Sequence, residues 1–237
     1  MKGVVLDARL RAVAEMAGRC PAIADIGCDH GYLSVWLVRE HIAAHAIAMD
    51  LREGPLSSAK ENIRFFHQEQ KIETRLSDGM DELKPGEADR IVIAGMGGIL
   101  MRDILERGRE CVLHCGQMVL QPQSDPDLVR KKVHELGFRI TDERSCFEDG
   151  KYYVAFSCEP GTEEQPYNEA EYLYGRILPA KKDPVYRKFL KTEEQKRAKL
   201  IETLTRSDKP SAKERLEGAQ EEMNRILFCL GKYKEEE

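Results

Sequence analysis

The sequence predicts an α/β protein in two parts. A mainly parallel sheet, covered by helices and closed by an antiparallel terminal hairpin, is followed by a C-terminal α-helical, coiled-coil-like domain. Three observations predict this. Short apolar runs alternate with helical patterns over residues 22–136, as in consecutive βαβ units. Two strand-like runs then meet at Asp149-Gly150, an Asp-Gly hairpin signal. Beyond the polar, breaker-rich segment 159–166, only helical periodicity remains.

Each element follows from its local pattern. Leu6, Leu10, Val13, Ala14 and Ala17 recur at helical spacing before Gly18, a short amphipathic helix with a stop. A buried strand at 22–26 runs into an acidic-glycine turn, from which a helix at 32–39 opens directly. A strand at 45–49, a helix at 56–67, strands at 73–76 and 90–93, a helix at 99–107, a strand at 118–120 and a helix at 126–136 continue the alternation. Runs at 138–144 and 152–158 flank the hairpin signal. In the tail, Ala212, Leu216, Ala219, Met223, Ile226 and Leu230 repeat at alternating spacings of four and three behind a Ser211/Glu214 capping box, which is a coiled-coil seam. The seam needs a partner. Residues 184–206 supply one through Phe189, Leu190, Ala198, Ile201 and Leu204 by folding back at a turn over 207–210. The expected domains are 1–162 and 163–237.

Composition narrows the class. With 41% apolar side chains in 237 residues, the chain can bury one sizeable core and something smaller. It has 33% charged residues and no stretch near the roughly 20 apolar residues of a membrane helix, so a soluble, cytoplasmic protein is expected; a monomer is a separate expectation that composition does not decide. Seven scattered cysteines point to reduced thiols rather than a disulfide framework. Cys111 and Cys115, with His114 between, lack the second ligand cluster of a structural zinc site, so no metal is expected.

The net charge of −5 hides an asymmetry: residues 1–162 carry 21 basic and 26 acidic side chains, whereas residues 163–237 carry 16 of each. Within the tail, 176–209 holds 11 basic against five acidic residues, net +6: Arg176, Lys181, Lys182, Arg187, Lys188, Lys191, Lys196, Arg197, Lys199, Arg206 and Lys209. Most charge runs are solvated helix faces; the alternative is a surface for nucleic-acid phosphates.

The strand ends carry the chemistry. The first turn reads Asp25-Ile26-Gly27-Cys28-Asp29-His30-Gly31-Tyr32-Leu33, where doubly wound folds bind nucleotides. A dinucleotide fingerprint needs a glycine at position 29, where pyrophosphate approaches the backbone; here that position is an aspartate. A carboxylate there repels an anion and suits a cationic ligand such as the sulfonium of S-adenosylmethionine. Asp50 ends the second strand, 23 residues after Gly27, where an acidic residue accepts from ribose hydroxyls. Ser77-Asp78-Gly79 ends the third, offering an acceptor for an exocyclic adenine amine. Singly, each acidic residue reads as an N-cap or turn residue. The fourth strand ends in Ile93-Ala94-Gly95-Met96-Gly97-Gly98, a loop without side-chain bulk, and the fifth in Gln121-Pro122-Gln123-Ser124, whose amides can hold a base edge or whose serine can cap the next helix.

Together DIGCDHGYL, Asp50, SDG, IAGMGG, LQPQS and the EDGKYY hairpin resemble the bacterial TrmK family of tRNA adenine-22 N1-methyltransferases, over essentially the whole chain. The resemblance implies a Rossmann-like class I methyltransferase domain. It implies S-adenosyl-L-methionine contacts at Asp25, Gly27, Asp50, Asp78, Gly79 and the loop Ala94, Gly95, Met96 and Gly97. Cys28, Gly31 and Ser34 stand where the family typically shows Ser, Ala and Pro, and Gln123 where Asn is common.

Many amino-group methyltransferases place an Asn-Pro-Pro-Tyr-like tetrapeptide after the fourth strand, and IAGMGG supplies none of it. A ring nitrogen fits better, because its lone pair needs no deprotonation before attack; alignment and water exclusion remain the enzyme's tasks. In that chemistry the catalytic candidates are Asp29, to hold the adenine amine or receive a proton, Tyr32, to stack on the base, and Gln121, to bond its edge. The tRNA contacts fall on Arg176, Lys181, Lys182, Arg187, Lys188, Lys191, Lys196 and Lys199. Methylation elsewhere on RNA or on a small molecule, a non-catalytic RNA-binding adaptor and an NAD oxidoreductase stay open as alternatives.

Overall fold

In the computed structural model, which describes residues 3–207 and 210–234, the chain divides into two units, Met1–Glu164 and Gln165–Glu237. The first holds β1 (Cys20–Ile26), β2 (Ala43–Asp50), β3 (Ile72–Leu76), β4 (Arg90–Gly97), β5 (Gln117–Ser124), β6 (Phe138–Glu148) and β7 (Lys151–Pro160). They form one sheet in the order β3-β2-β1-β4-β5-β7-β6. The first five strands run parallel, and β7 and β6 add antiparallel. The chain builds outward from β1 to β3 and returns to β4 beside β1, so a crevice opens at the carboxyl ends of β1 and β4, the switch point where such sheets bind ligands. Helices α1 (Ala8–Met16), α2 (Tyr32–Arg39) and α3 (Glu53–Phe65) share one hydrophobic layer, and α4 (Gly98–Arg107), α5 (Arg109–Leu113) and α6 (Pro126–Glu135) form a second group.

Several boundaries differ from the sequence expectation. Helix α3 starts at Glu53 rather than 56, because Pro55 fits a first turn that needs no N–H from it. The glycine-rich stretch expected as a loop continues β4 to Gly97, with register shifts at Ala94/Met96 and Met96/Gly97. Likewise β5 runs on to Ser124, carrying Pro122 at the irregular pairing with Met96, where a missing N–H is tolerated. Ser124 caps α4, not α6: its Oγ accepts the Gly98 N–H at 3.4 Å. A Cβ at Gly98 would stand 2.4 Å from the Ser124 and Asp125 carbonyl oxygens, so only glycine lets α4 start that close to β5. The hairpin signal holds, with Asp149 and Gly150 both left-handed, at φ 49° and 77°, as a type I′ turn requires.

The second unit is helical: α7 (Glu169–Tyr174), α8 (Ile177–Ala180), α9 (Pro184–Thr205) and α10 (Pro210–Gly231). Helices α9 and α10 pair antiparallel, with Leu204 packed near Ala212 and Arg197 bonded to Glu222 farther along. On α10 the expected seam is the covered face: Ala212, Ala219, Ile226 and Leu230 are buried, Leu216 and Met223 half-buried. On α9 the facing row is Leu190, Arg197 and Leu204, at intervals of seven, and Ala198 points to solvent. Ser211 lies inside α10, so it does not cap it, and residues 208–209 of the expected turn fall outside the described residues. A capping box does occur at α7, between Asn168 and Glu171.

Candidate functional site

A cavity of about 540 Å³ opens at the carboxyl ends of the central strands. Ten of the twelve cofactor and catalytic candidates line it: Asp25, Gly27, Asp29, Tyr32, Asp50, Asp78, Gly79, Ala94, Gly95 and Met96, but not Gly97 or Gln121. The first turn is tied to β2, since the N–H groups of Gly27 and Cys28 both donate to the Met49 carbonyl at 2.8 Å. Gly27 has φ +75°, and a Cβ there would lie 2.2 Å from the Met96 methyl, so a side chain at 27 is disfavoured by the backbone and would meet Met96, which reaches across from β4.

The carboxylates differ in environment. Asp25 is buried and accepts from Ser34 Oγ at 2.7 Å. Burial pushes its pKa up to about 6; the Ser34 hydrogen bonds pull the other way, and the Asp50 charge adds to the rise. Asp50 is also buried, and its two oxygens accept the N–H groups of Asp29 at 3.2 Å and Arg52 at 2.9 Å. Each carboxylate oxygen keeps acceptor capacity for a ligand. Asp78 is exposed and forked by Arg107 at 2.9 and 3.0 Å, which holds its carboxyl below the usual range. Asp29 sits at left-handed φ 50° with its side chain exposed and His30 Nε2 at 3.7 Å. Tyr32 opens α2 and is 42% exposed at the cavity wall, a placement that leaves its ring face available rather than buried in the core.

Gln121 requires a correction. Its side chain is 1% exposed and does not line the cavity. Oε1 accepts from Gly95 N–H at 3.1 Å and from Arg9 at 2.9 Å, while Nε2 donates to the Pro122 carbonyl at 3.1 Å. Buried and turned to these partners, the amide does not face a base in the cavity. Gln123 lines the cavity instead. Arg9, on α1, lines it too and is not legible in the sequence, because a lone arginine in an amphipathic helix carries no motif. His30, Leu51 and Leu100 are further wall residues outside the motif glycines and aspartates.

In the second unit the basic block splits. Arg176 grips Glu171 at 2.9 and 2.8 Å, donates to the Gln165 and Pro166 carbonyls at 2.7 and 2.6 Å, and lies 4.1 Å over the Tyr167 ring. Its expected place among the tRNA contacts is therefore corrected: those bonds fasten the start of the helical unit. Arg197 is spent on Glu222 in the α9–α10 seam. Lys188, Lys191 and Lys199 fall on one exposed stripe of α9, Lys191 with Glu194 at 2.8 Å. Lys181, Lys182, Arg187 and Lys196 are exposed as well, Lys196 with Glu193 at 2.7 Å. Lys209 lies outside the described residues. Among the described residues, no helix is long and apolar enough to cross a membrane and no cluster of metal-ligating side chains occurs.

Comparison with known proteins places this geometry. Residues 6–156 match the family described as "Methyltransferase domain". The chain is 34% identical over 211 residues to the Bacillus subtilis (strain 168) tRNA (adenine(22)-N(1))-methyltransferase, covering 87% of this chain and 89% of that protein. The crystal structure of the B. subtilis M1A22 tRNA methyltransferase TrmK superposes with a TM-score of 0.87 at 31% identity, covering 96% and 99% of the two chains. M. capricolum TrmK in complex with S-adenosyl-homocysteine, its natural cofactor product, gives 0.83 at 25% identity over 96% and 99%. With the matched domain and the likeness over nearly the whole of both chains, this chain belongs to the methyltransferase-domain family and, within it, to the TrmK group of tRNA (adenine-22) N1-methyltransferases.

Proposed function

We propose that this chain transfers the methyl group of S-adenosylmethionine to N1 of an adenine in tRNA, at position 22 in the family. The likeness to TrmK across both the sheet unit and the helical unit carries the reading. The cavity suits the cofactor on its own terms. Its volume is in the range of small-molecule sites, and its four carboxylates favour a cation.

Bound there, the cofactor supplies an electrophilic methyl on sulfur. The chain's own residues do the rest. Asp50 accepts from ribose hydroxyls and Asp78, beside Gly79, from the adenine amine. Gly27, Ala94, Gly95 and Met96 shape the backbone wall, and Gly97 belongs to the bulge behind it. Asp25 balances cofactor cation charge from below. The acceptor adenine must leave its base pair, since N1 lies on the paired edge. Tyr32 stacks on the extruded base, and Asp29 holds its 6-amino group or receives the proton that the cationic product sheds. No base is needed before attack, because N1 already carries a lone pair, so alignment and exclusion of water supply the rate.

In this reading residues 1–162 bind cofactor and 163–237 bind tRNA, through Lys181, Lys182, Arg187, Lys188, Lys191, Lys196 and Lys199, in a cytoplasmic monomer. The test is transfer of labelled methyl to an unmodified tRNA transcript carrying adenine at position 22, followed by mapping of the modified nucleotide. Label at N1 of that adenine is expected. Label at another nucleotide reassigns the site, and none with intact cofactor binding points to a non-catalytic RNA-binding role.

A further inference from the structure

We infer that Arg9 is the cavity's anion-binding residue, taking the carboxylate of the cofactor's methionyl part, and that Gln121 is its positioning residue. This rests on the S-adenosylmethionine reading above. That ligand carries two cationic groups, the sulfonium and the ammonium, and a single anion. A wall with four carboxylates, Asp25, Asp29, Asp50 and Asp78, suits the cations and repels the anion unless a cation faces it.

Three basic side chains line the wall. Arg52 follows the second strand's end, with its side chain 71% exposed and Nε 3.8 Å from Asp50, the residue read as the ribose acceptor. His30 is 53% exposed and leans on Asp29. Arg9 is different: only 18% of its side chain is exposed. Its guanidinium enters where residue 95 has no side chain, Nη1 lying 3.3 Å from the place a Gly95 Cβ would take.

The shortest contact of the Arg9 guanidinium is with a neutral group. Gln121 Oε1 accepts from Nη1 at 2.9 Å, and the amide is oriented by Gly95 N–H on the same oxygen and by its own donation to Pro122. Arg75, Arg107 and Arg130 are each bonded to carboxylates at 3 Å or less. The carboxylate paired with Arg9, Asp7, stands 3.5 Å away and also caps α1 through Leu10 N–H at 2.6 Å. A guanidinium positioned by an amide keeps its charge for a ligand, and its fork matches a carboxylate.

Calorimetric binding of S-adenosylmethionine and its decarboxylated analogue, without RNA, tests this. The wild type should prefer the carboxylated ligand about tenfold or more, as a charge-assisted hydrogen-bonded pair implies. Arg9→Gln should weaken S-adenosylmethionine binding by about tenfold or more and leave the analogue within about twofold, while Arg9→Lys should fall between. Gln121→Glu retains an acceptor for Gly95 and Arg9 but neutralises the arginine; it should weaken the carboxylated ligand and not the more cationic analogue. A preference that survives Arg9→Gln, or an equal loss of both ligands in either variant, overturns the assignment. If the wild type binds neither ligand, the cofactor reading fails, and the inference fails with it.

Discussion

Ser34 Oγ donates to Asp25 Oδ2 at 2.7 Å beneath the strand-end cavity, joining the first turn of α2 to the end of β1. Burial raises the Asp25 pKa from 3.8 to about 6, against the pull of this bond. A carboxyl whose folded value is raised favours the folded state below its unfolded value and loses that contribution as pH climbs through the folded one. Here the window runs from 3.8 to about 6. Cofactor binding should show the opposite trend, tightening as Asp25 ionises beneath a cation. Titration of S-adenosylmethionine affinity from pH 5 to 8 is expected to show that rise, Asp25→Asn to flatten it, and Ser34→Ala to move its midpoint upward. A flat wild-type profile would show that Asp25 does not face the cofactor's positive charge.

Asp50 and Asp78 should respond unequally. Asp50 is buried and turned toward the cavity, so Asp50→Ala should cost about 1.5–3 kcal/mol of cofactor affinity, the value of hydrogen bonds to a charged group. Asp78 is exposed and already forked by Arg107, and Asp78→Ala should cost less. Calorimetry on both variants decides it; equal affinity in Asp50→Ala and wild type removes the ribose assignment.

Asp29→Asn removes charge at constant size on an exposed side chain. Near-normal tRNA and cofactor affinity with a slower single-turnover methylation rate is the expected outcome. A normal rate combined with weakened cofactor binding would make Asp29 a cofactor ligand instead.

The α9 stripe separates electrostatics from architecture. Charge reversal at Lys188, Lys191 and Lys199 should weaken tRNA binding and lower the slope of log affinity against log salt by roughly 0.7–0.9 for each phosphate that is no longer neutralised. Arg176→Ala should instead lower the melting temperature of the helical unit, since it breaks bonds to Glu171, Gln165 and Pro166. Unchanged salt dependence in the triple variant would make the stripe an ordinary solvated face.

Arg130 and Glu143 form a buried ion pair at 2.9 Å between α6 and β6, with the guanidinium 5.0 Å from the Phe156 ring centre. Arg130→Met takes the guanidinium away from this buried carboxylate and should destabilise the first unit by about 3–5 kcal/mol in denaturant unfolding. Replacing both, Arg130→Met with Glu143→Leu, should recover most of that loss.

Much of this protein is decided locally and is legible as such. Strand-helix alternation, the Asp149-Gly150 turn, the α10 seam and the acidic residues at three successive strand ends depend on neighbours a few positions apart, and periodicity records them. The rest depends on partners far along the chain. Ser124 meets Gly98, 26 residues away, and so caps α4 rather than α6. Gln121 meets Arg9, 112 residues away, and so turns from the cavity toward the arginine. In the helical unit, Arg176 and Lys188 look alike as members of a basic run, yet one is bonded to Glu171 and two carbonyls while the other faces solvent. Sequence spacing states which charges and amides a segment carries; only the packed fold decides which of them find internal partners and which remain for a ligand.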